Sequence, residues 1–286
     1  MHKALFIENA FWESPATKWL RQTFMHAAAA QGMQLTARTN ADFLRKGSFE
    51  GLPSLALFLD KDVRLAKLLE NKGMRLFNQA EAVRICDDKT LTYAALQGLD
   101  IPMPETLLCP MTFPGVGYSS FDFILDAADR LGFPFIVKEG CGSFGQQVYL
   151  VSNIKEAQEL LLAAAGKPML FQRFIKESAG RDVRVYVVGG KIVAAMMRVN
   201  NSGDFRANIA SGGQAQHYRL SREEERIALA ACRHLQLDFA GVDLLESKEG
   251  PLLCEVNSNA HFRALQELSG CRPADEIIAL MKAWPA

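Results

Sequence analysis

The glycine-rich segment after Lys138 has the residue types of a phosphate-binding loop. Its spacing, Gly140, Gly142 and Gly145, matches the dinucleotide fingerprint by letters. That fingerprint must open a helix, because the pyrophosphate rests on a helix N-terminus, whereas residues 146–151 read QQVYLV and predict a strand. The dinucleotide interpretation therefore fails, and the sequence has no GxxxxGK[ST] loop. What remains is either a flexible flap whose amides close over phosphates or a plain hairpin whose glycines satisfy positive φ.

Three oxygen-bearing side chains, Asp243, Glu255 and Asn257, form a second candidate site on two neighbouring predicted strands. Glu255 and Asn257 are two residues apart and share one face of their strand. A turn at 247–251 would place Asp243 opposite Glu255, so that all three side chains converge. Two carboxylates directly opposite each other destabilise a sheet unless a cation lies between them, and oxygen ligands suit magnesium. The alternative is that the acidic residues lie on a solvated face.

A third group is cationic and amidic and comprises Arg181, Arg184, Arg198, Arg206 and Asn208. Arg198 ends an apolar predicted strand, where a buried guanidinium needs a partner. A transferred phosphoryl group or an acyl phosphate would supply one. Salt bridging at the surface is the competing interpretation, above all for Arg181 and Arg206.

The elements that position these residues change in character along the chain. Up to about residue 80, predicted strands alternate with helices, which is typical of a parallel sheet covered on both faces. The predicted strands are 3–8, 34–38, 55–59 and 74–77. Polar residues follow two of them, at 8–9 and 60–62, and would lie at the carboxyl edge of the sheet, where ligands usually bind.

From residue 87 the pattern predicts an α+β arrangement with mostly antiparallel strands. Helices are predicted at 89–97, 122–131, 153–165, 222–235 and 273–283. Strands are predicted at 133–138, 148–151, 169–175, 183–188, 191–199, 241–246 and 252–257. The predicted fold class is therefore α/β (α+β), with a parallel N-terminal domain followed by two α+β subdomains.

Composition excludes several classes of protein. The chain has 286 residues, its 32 Lys and Arg balance 32 Asp and Glu, and 49% of its residues are hydrophobic. A neutral chain lacks the basic excess that nucleic-acid binding draws on. No apolar run approaches the roughly 18 residues of a membrane helix, and the first residues do not read as a signal peptide. The six cysteines form no CxxC pair, as expected for reduced structural thiols in a cytoplasmic protein.

Together these motifs resemble the ATP-grasp ligases, specifically the RimK-type branch that includes LysX-like enzymes. The resemblance covers roughly residues 87–270 in unbroken order. The matching stretches are 87–89, 101–106, 135–138 with the flap, 172–177, 180–185, 194–198, 205–208, 241–245 and 255–258. The resemblance implies a pre-ATP-grasp, acceptor-binding domain at 1–86, a small subdomain with the flap at 87–168, and a C-terminal subdomain with the metal site at 169–286.

The resemblance also implies a role for each candidate residue. Those that would bind ATP are Lys89 and Lys138 at the phosphates, Gly142, Ser143 and Gly145 in the flap, Gln172, Arg173 and Ile175 at adenine, and Asp182 at the ribose. Those that would hold two Mg²⁺ or Mn²⁺ ions are Asp243, Glu255 and Asn257. Arg198 and Asn208 would meet the transferred group. Arg173 stands where the branch commonly has Glu, which is harmless if only its backbone is used.

Two loops depart from the branch and direct attention to substrate choice. Asn208 is followed by IASGG, without the His-Arg pair often seen in RimK itself, and Asn257 is followed by SNAHFR in place of a Ser-Ser-Pro-Gly type of loop. We therefore expect Asn259, His261 and Arg263 to help select the amino acid, although a plain loop histidine is an equal alternative for His261. Arg184 and Arg206 are further substrate candidates.

The reaction that the resemblance implies joins a carboxylate to an amine with ATP, through an acyl phosphate, and releases ADP and phosphate. The expected substrates are an amino acid, glutamate first, and a small-molecule, peptide or carrier-protein acid; no nucleic acid or membrane partner is expected, and a homo-oligomer is left open. The alternatives are another ATP-grasp chemistry, such as a carboxylate–thiol ligase or a kinase, and a nucleotide-binding regulator without turnover.

Overall fold

The N-terminal part is a parallel sheet with helices on its faces, in a computed structural model that describes residues 2–143, 145–208 and 212–285. Its strands are β1 (His2–Glu8), β2 (Met33–Thr39), β3 (Leu55–Leu59) and β4 (Arg75–Phe77), in the order β2-β1-β3-β4. The neighbouring helices are α1 (Pro15–Ala30) and α2 (Val63–Asn71), with a 3-10 turn at Asn40–Leu44. Every pairing is parallel, as predicted.

A short connecting segment leads to a small antiparallel sheet. The connection consists of α3 (Ala80–Asp87) and α4 (Lys89–Leu96). The sheet has the order β5-β8-β6-β7 and contains β5 (Thr106–Leu108), β6 (Phe135–Glu139), β7 (Val148–Val151) and β8 (Met169–Arg173). Helices α5 (Asp122–Leu131) and α6 (Ile154–Ala163) accompany it. The turn between β6 and β7 carries the flap glycines.

A five-stranded antiparallel sheet completes the chain, in the order β11-β10-β9-β12-β13. Its strands are β9 (Arg181–Val188), β10 (Lys191–Val199), β11 (Gln214–His217), β12 (Phe239–Ser247) and β13 (Gly250–Asn257). A 3-10 turn at Lys176–Ser178 precedes it, and the helices are α7 (Arg222–His234), α8 (Arg263–Ser269) and α9 (Pro273–Ala283). The fold class is thus confirmed: a parallel sheet followed by antiparallel sheets.

The parallel sheet and its helices, residues 2–77, form what we call the N-terminal layer, and this layer shares one apolar core with the five-stranded sheet. Phe6 and Phe24 of the N-terminal layer belong to the same buried cluster as Tyr186, Phe239 and Ile277. The small sheet has its own cluster, drawn from residues 107–171. Burial of this much apolar surface between distant parts of the chain fixes the N-terminal layer on the five-stranded sheet.

A fully buried asparagine supplements this apolar contact. Asn78 donates to the carbonyls of Phe239 (2.9 Å) and Ser258 (2.8 Å). Its Oδ1 accepts from the N–H groups of Asp238 (2.7 Å) and Phe239 (3.2 Å). One side chain therefore ties the end of β4 to the start of β12 and to the loop after β13.

Several elements differ from the sequence prediction. The elements that the patterns did not predict are α3, α8, β5 and β11. Neither α3 nor α8 has a side-chain cap at its first turn, and β5 and β11 span only 3 and 4 residues, so the sequence signals are weak. In the structure β8 pairs with β5 and β6, so residues 169–173 belong to the small sheet and not to the C-terminal subdomain expected to begin at residue 169. The expected domain boundary at 86–87 falls inside α3. The division into three domains stays a prediction.

No helix in the described ranges is long and apolar enough to cross a membrane.

Candidate active site

A row of charged side chains crosses one face of the five-stranded sheet. Arg198 of β10 lies opposite Asp182 of β9, and Arg184, two residues further along β9, lies opposite Asp243 of β12. Asp243 in turn lies opposite Glu255 of β13, as the sequence predicted. Because residues two apart share a face, the pairing registers alone bring these five side chains together. We call them the charged row.

The arginines of the charged row are paired with its aspartates. Arg198 donates to both oxygens of Asp182 (2.6 Å each), and its Nη2 lies 3.0 Å from Oδ2 of Asp243. Arg184 donates to both oxygens of Asp243, at 2.8 Å for Oδ2. Bidentate pairs of this kind are strong and directional. The carboxylates of Asp182 and Asp243 thus supply the partner that a buried guanidinium needs, and the role of Arg198 at a transferred group stays a prediction.

Burial and neighbouring charges shift these aspartates in opposite directions. Burial alone would raise the pKa of Asp243, but the guanidiniums of Arg184 and Arg198 outweigh it and hold that pKa below its usual value. For Asp182, burial raises the pKa, and Arg198 does not fully compensate because the charge of Asp243 adds to the rise. Asp243 is therefore the more acidic of the two aspartates.

Two ammonium groups reach the same place from the connecting segment and the small sheet. Nζ of Lys89, the first residue of α4, lies 3.4 Å from Oε1 of Glu255 and donates to the carbonyl of Gly142 at 3.2 Å. Nζ of Lys138, buried on β6, lies 3.8 Å from Sγ of Cys254. The lysines predicted to meet phosphates thus stand beside the acidic end of the charged row.

The flap is held by contacts from both sides. Lys61, at the end of β3, donates to Oγ of Ser143 at 3.1 Å, and Arg206 donates to the carbonyl of Gly145 at 2.9 Å. Gly145 has a φ of +72°, and a Cβ there would lie 2.8 Å from Oδ1 of Asn208, so the turn requires glycine at this point. The turn is thus joined to other elements, and its role as a flap over phosphates stays a prediction.

Two of the residues predicted to contact adenine, Gln172 and Arg173, lie at the end of β8. Gln172 is buried, and its Nε2 donates to Oγ1 of Thr106 at 2.8 Å. The side chain of Arg173 contacts Glu105 and the carbonyl of Leu131 (3.1 Å) on the outside of the small sheet. Its side chain is therefore engaged away from the cavity, as expected if only the backbone is used.

Two adjoining cavities contain the predicted site residues. A small cavity of about 110 Å³ is lined by Lys89, Lys138, Gly142, Ser143, Gly145, Gln172, Arg173, Ile175, Asp182, Arg198, Asn208, Asp243 and Glu255. A large cavity of about 880 Å³ reaches the N-terminal layer and is lined by Arg184, Asn257, Asn259, His261 and Arg263, among others. Ser143, Asn208 and three members of the charged row line both cavities. The flap and the charged row therefore separate a small cavity from a large one.

The three proposed metal ligands, Asp243, Glu255 and Asn257, form a set of oxygen donors. Asn257 Nδ2 lies 3.4 Å from Oδ2 of Asp243, so the amide is beside the carboxylate. Two carboxylates and an amide oxygen are hard donors that suit a magnesium-like ion. No group of three or more His, Cys, Asp or Glu side chains in the described ranges could hold a metal. The facing carboxylates of Asp243 and Glu255 do not need a metal ion to offset their repulsion, because Arg184, Arg198 and Lys89 already pair with them.

The remaining substrate candidates lie in the loop after β13 and at the flap. Asn259 donates to the carbonyl of Asp60 at 3.1 Å. The rings of His261 and Trp12 meet edge to face, with their centroids 6.5 Å apart. Burial, followed by the charge of Arg184, lowers the pKa of His261. The structure thus brings two of the three loop candidates against the N-terminal layer.

The other two candidates are engaged locally. Arg263 pairs with Glu267 one turn later on α8 at 2.8 Å, and Arg206 pairs with Asp204 besides holding the flap. Arg263 is therefore paired within its own helix, and Arg206 forms the kind of salt bridge that the sequence analysis left open for it as well as a contact with the flap.

Sequence reasoning pointed to residues 8–9 and 60–62 as a ligand-binding edge without giving them a role, and it missed Trp12 of the large cavity. Asn9, Trp12, Asp60 and Lys61 line it from the ends of β1 and β3. A signal was present, because polar residues after parallel strands lie at the ligand-binding edge. This signal could not show which of these residues line a site, since the large cavity forms only where the N-terminal layer meets the five-stranded sheet.

Comparison with known proteins gives a family and two kinds of relative. Residues 86–281 match the family described as RimK-like ATP-grasp domain. Beta-citrylglutamate synthase B of Danio rerio is 34% identical over 213 residues, which are 74% of this chain and 51% of that protein. N-acetylaspartylglutamate synthase A of Homo sapiens is 32% identical over 218 residues, 76% of this chain and 54% of that protein. The chain spans about half the length of these curated relatives.

A solved structure agrees over nearly the whole chain. The crystal structure of a RimK domain protein ATP-grasp from Sphaerobacter thermophilus has a TM-score of 0.71 at 22% identity. The match covers 98% of this chain and 99% of that chain. At this identity the likeness concerns the fold, including the N-terminal layer, which lies outside the family match at residues 86–281.

Proposed function

We propose, given that this chain belongs to the RimK-like ATP-grasp family, that it is an ATP-dependent ligase joining the carboxylate of an acceptor acid to the amine of an amino acid. The observation that carries the proposal is the position of the charged row, between a lysine-lined cavity under a clamped flap and a large second cavity. A nucleotide tail in one cavity and an acid in the other would meet at Arg198 and Asn208.

The chemistry requires an activated carboxylate. One carboxylate oxygen of the acid bonds to the γ-phosphorus of ATP as the bond from that phosphorus to the β,γ-bridging oxygen breaks and ADP leaves. The amine nitrogen then bonds to the acyl carbon, phosphate leaves with the former carboxylate oxygen, and the nitrogen gives up a proton. A carboxylate does not react with an amine unless its oxygen becomes such a leaving group, so positioned cations and water exclusion carry the catalysis.

The residues of the small cavity would divide this work. Lys89 and Lys138 would hold the phosphates, and Arg198 would stabilise charge on the transferred group. The flap residues Ser143 and Gly145 would exclude the water that hydrolyses an acyl phosphate.

Nucleoside and metal contacts complete the proposed set. Gln172, the backbone of Arg173 and Ile175 would meet the base, and Asp182 the ribose. Mg²⁺ or Mn²⁺ at Asp243, Glu255 and Asn257 would neutralise phosphate charge. Ligation by Asp243 requires it to share its oxygens with Arg184 and Arg198, which bind them in this structure. The two-ion stoichiometry belongs to the proposal.

Glutamate is the proposed amine substrate. Both curated relatives are named for products that contain a glutamate unit, although each protein is about twice as long as the aligned region. The large cavity, which the N-terminal layer helps to form, is the proposed place for the acceptor acid.

The test is a stoichiometric assay with ATP, Mg²⁺, glutamate and a panel of acids. We expect release of ADP and phosphate that depends on both an acid and an amine, together with an amide product by mass spectrometry. Release of AMP and pyrophosphate would contradict the proposal. A thiol that replaces the amine would indicate a carboxylate–thiol ligase, a phosphorylated acceptor with no amide a kinase, and ATP binding without turnover a regulator.

A further inference from the structure

Asp60 is a buried carboxylate with one unused oxygen on the wall of the large cavity. The residue is only 6% exposed. Its Oδ1 accepts from Nδ2 of Asn9 (3.1 Å) and from the N–H of Lys61 (2.7 Å). Its Oδ2 has no hydrogen-bond partner within the described part of the chain. Leaving a buried acceptor unpaired costs free energy, so such a group indicates a missing donor.

A second unpaired acceptor lies beside it. Asn259 donates through Nδ2 to the backbone carbonyl of Asp60 at 3.1 Å. A carbonyl can only accept, so this contact fixes the orientation of the amide and leaves Oδ1 as the acceptor. That Oδ1 is buried and, among the residues that the structure describes, also lacks a partner. Two residues that contact each other and line the large cavity therefore each carry a buried acceptor without a donor.

The protein's own cations around the cavity are engaged elsewhere. Lys61 contacts Asp87 rather than the carboxylate of Asp60. Arg184 is paired within the charged row, and Arg21, from α1, binds Glu8 at 2.6 Å. None of the ion pairs found in the described ranges includes Asp60, so its charge is not offset by a paired cation of the protein.

We propose that Asp60 and Asn259 form a subsite for a protonated primary amine carried by the acceptor acid. An ammonium group has three donors and a positive charge, which matches two acceptors and one uncompensated carboxylate. A hydroxyl group offers a single donor and no charge. The inference rests on the proposed ligase function and specifies the acceptor as an amino acid or a peptide with a free amino group.

The ammonium is assigned to the acceptor because a protonated amine cannot attack. The attacking amine must carry a lone pair and must reach the acyl carbon near Arg198, whereas a nitrogen held by Asp60 keeps its proton. Apolar side chains, including Phe24, Phe239 and Phe262, also line the cavity. In such surroundings an ion pair is less screened than in water, which favours a charged ligand group over a neutral one.

The test compares free and N-acetylated forms of the same acids. A panel of amino acids and dipeptides, each beside its N-acetyl counterpart, is assayed with ATP, Mg²⁺ and glutamate for ADP release and amide product. The same compounds are titrated calorimetrically into the protein, which reads binding without turnover. We expect the free-amine member of an active pair to be favoured in kcat/KM and in affinity by roughly 10–100-fold.

Two variants tie the preference to the subsite. Asp60→Asn keeps the shape and removes the charge, and it should reduce the preference for the free amine by at least about tenfold. Asn259→Ser is the second variant in case the first one does not fold. Asp62→Asn is the control, because Asp62 caps α2 through Leu65, lies outside the cavity lining and keeps its capping ability as Asn. It should leave the preference unchanged.

The outcomes separate this inference from the ligase proposal. Equal use or equal binding of the N-acetyl compounds, binding of none of the free amines, or an unchanged preference in both subsite variants would overturn the subsite. Absence of ADP release with every pair, while free amines still bind better than their acetylated forms, would overturn the ligase proposal and leave the subsite standing.

Discussion

Replacing Asn78 by alanine should weaken the attachment of the N-terminal layer. The side chain is 0% exposed and makes two donor contacts and two acceptor contacts with residues 238, 239 and 258. Alanine leaves two buried N–H groups and two buried carbonyls without their partner. At about 1 kcal/mol for each lost bond, we expect a loss of about 4 kcal/mol in the free energy of unfolding.

The assay is unfolding by heat and by denaturant. For a chain of this size, about 4 kcal/mol corresponds to a fall in Tm of roughly 8–16 °C. Asn71→Ala is the matched control, since Asn71 is exposed at the last position of α2, and a surface change of this kind should stay within about 0.5 kcal/mol. Because the Asn78 contact with Ser258 borders the loop of Asn259, we also expect KM for the acceptor to rise more than KM for ATP.

The magnitude makes the reasoning refutable. A loss below about 1 kcal/mol would mean that water or backbone shifts satisfy the four backbone groups that the substitution leaves unpaired. A large loss of stability with unchanged KM for the acceptor would separate the attachment of the layer from the shape of the large cavity.

Further predictions concern the metal site, the flap and a thiol. Glu255→Gln should lower Mg²⁺-dependent ADP formation by roughly 100-fold with little change in Tm, whereas the exposed Glu249→Gln should not, and equal activities would remove Glu255 from the site. Arg206→Ala loses the contact with the Gly145 carbonyl, so the ratio of ADP released to amide formed should rise, and an unchanged ratio would show that the contact does not seal the flap. Partial burial and the neighbouring aspartates raise the pKa of Cys141, whose thiol is still accessible to reagents. Because the thiolate is the nucleophile, the rate of iodoacetamide labelling of Cys141 should go on rising with pH beyond the point where that of a free cysteine, with a pKa of about 8.5, levels off. Labelling that levels off at or below that pH would contradict it.

The sequence predicted the long, strongly patterned elements and the pairing at the centre of the site. Strand Leu55–Leu59 and helix Asp122–Leu131 have the predicted bounds, because an apolar run and a helical period mark them. Asp243 lies opposite Glu255 as predicted, but the turn is residues 248–249 instead of the expected 247–251, and a register shift between Asp243 and Leu244 restores the predicted pairing. Local patterns of this kind depend on neighbouring residues and are therefore readable in one chain.

What the sequence could not provide were contacts between distant strands. The pairing of Arg198 with Asp182 and of Arg184 with Asp243 depends on the strand order β10-β9-β12, which local patterns do not specify. For the same reason the unpaired oxygen of Asp60 was not visible. It arises where the edge of one sheet meets a loop that follows another almost two hundred residues later.

The separate core of the small sheet has a mechanical consequence. The N-terminal layer and the five-stranded sheet share a core and form a fixed platform, whereas the small sheet is joined to it by thinner connections. A cavity of about 110 Å³ lies below the roughly 300–1,000 Å³ of ordinary ligand sites, so binding of the proposed nucleotide would need a wider opening between the small sheet and the platform. The hydrogen bonds from Lys61 and Arg206 to the flap would have to break for such an opening and could form again once the nucleotide is bound.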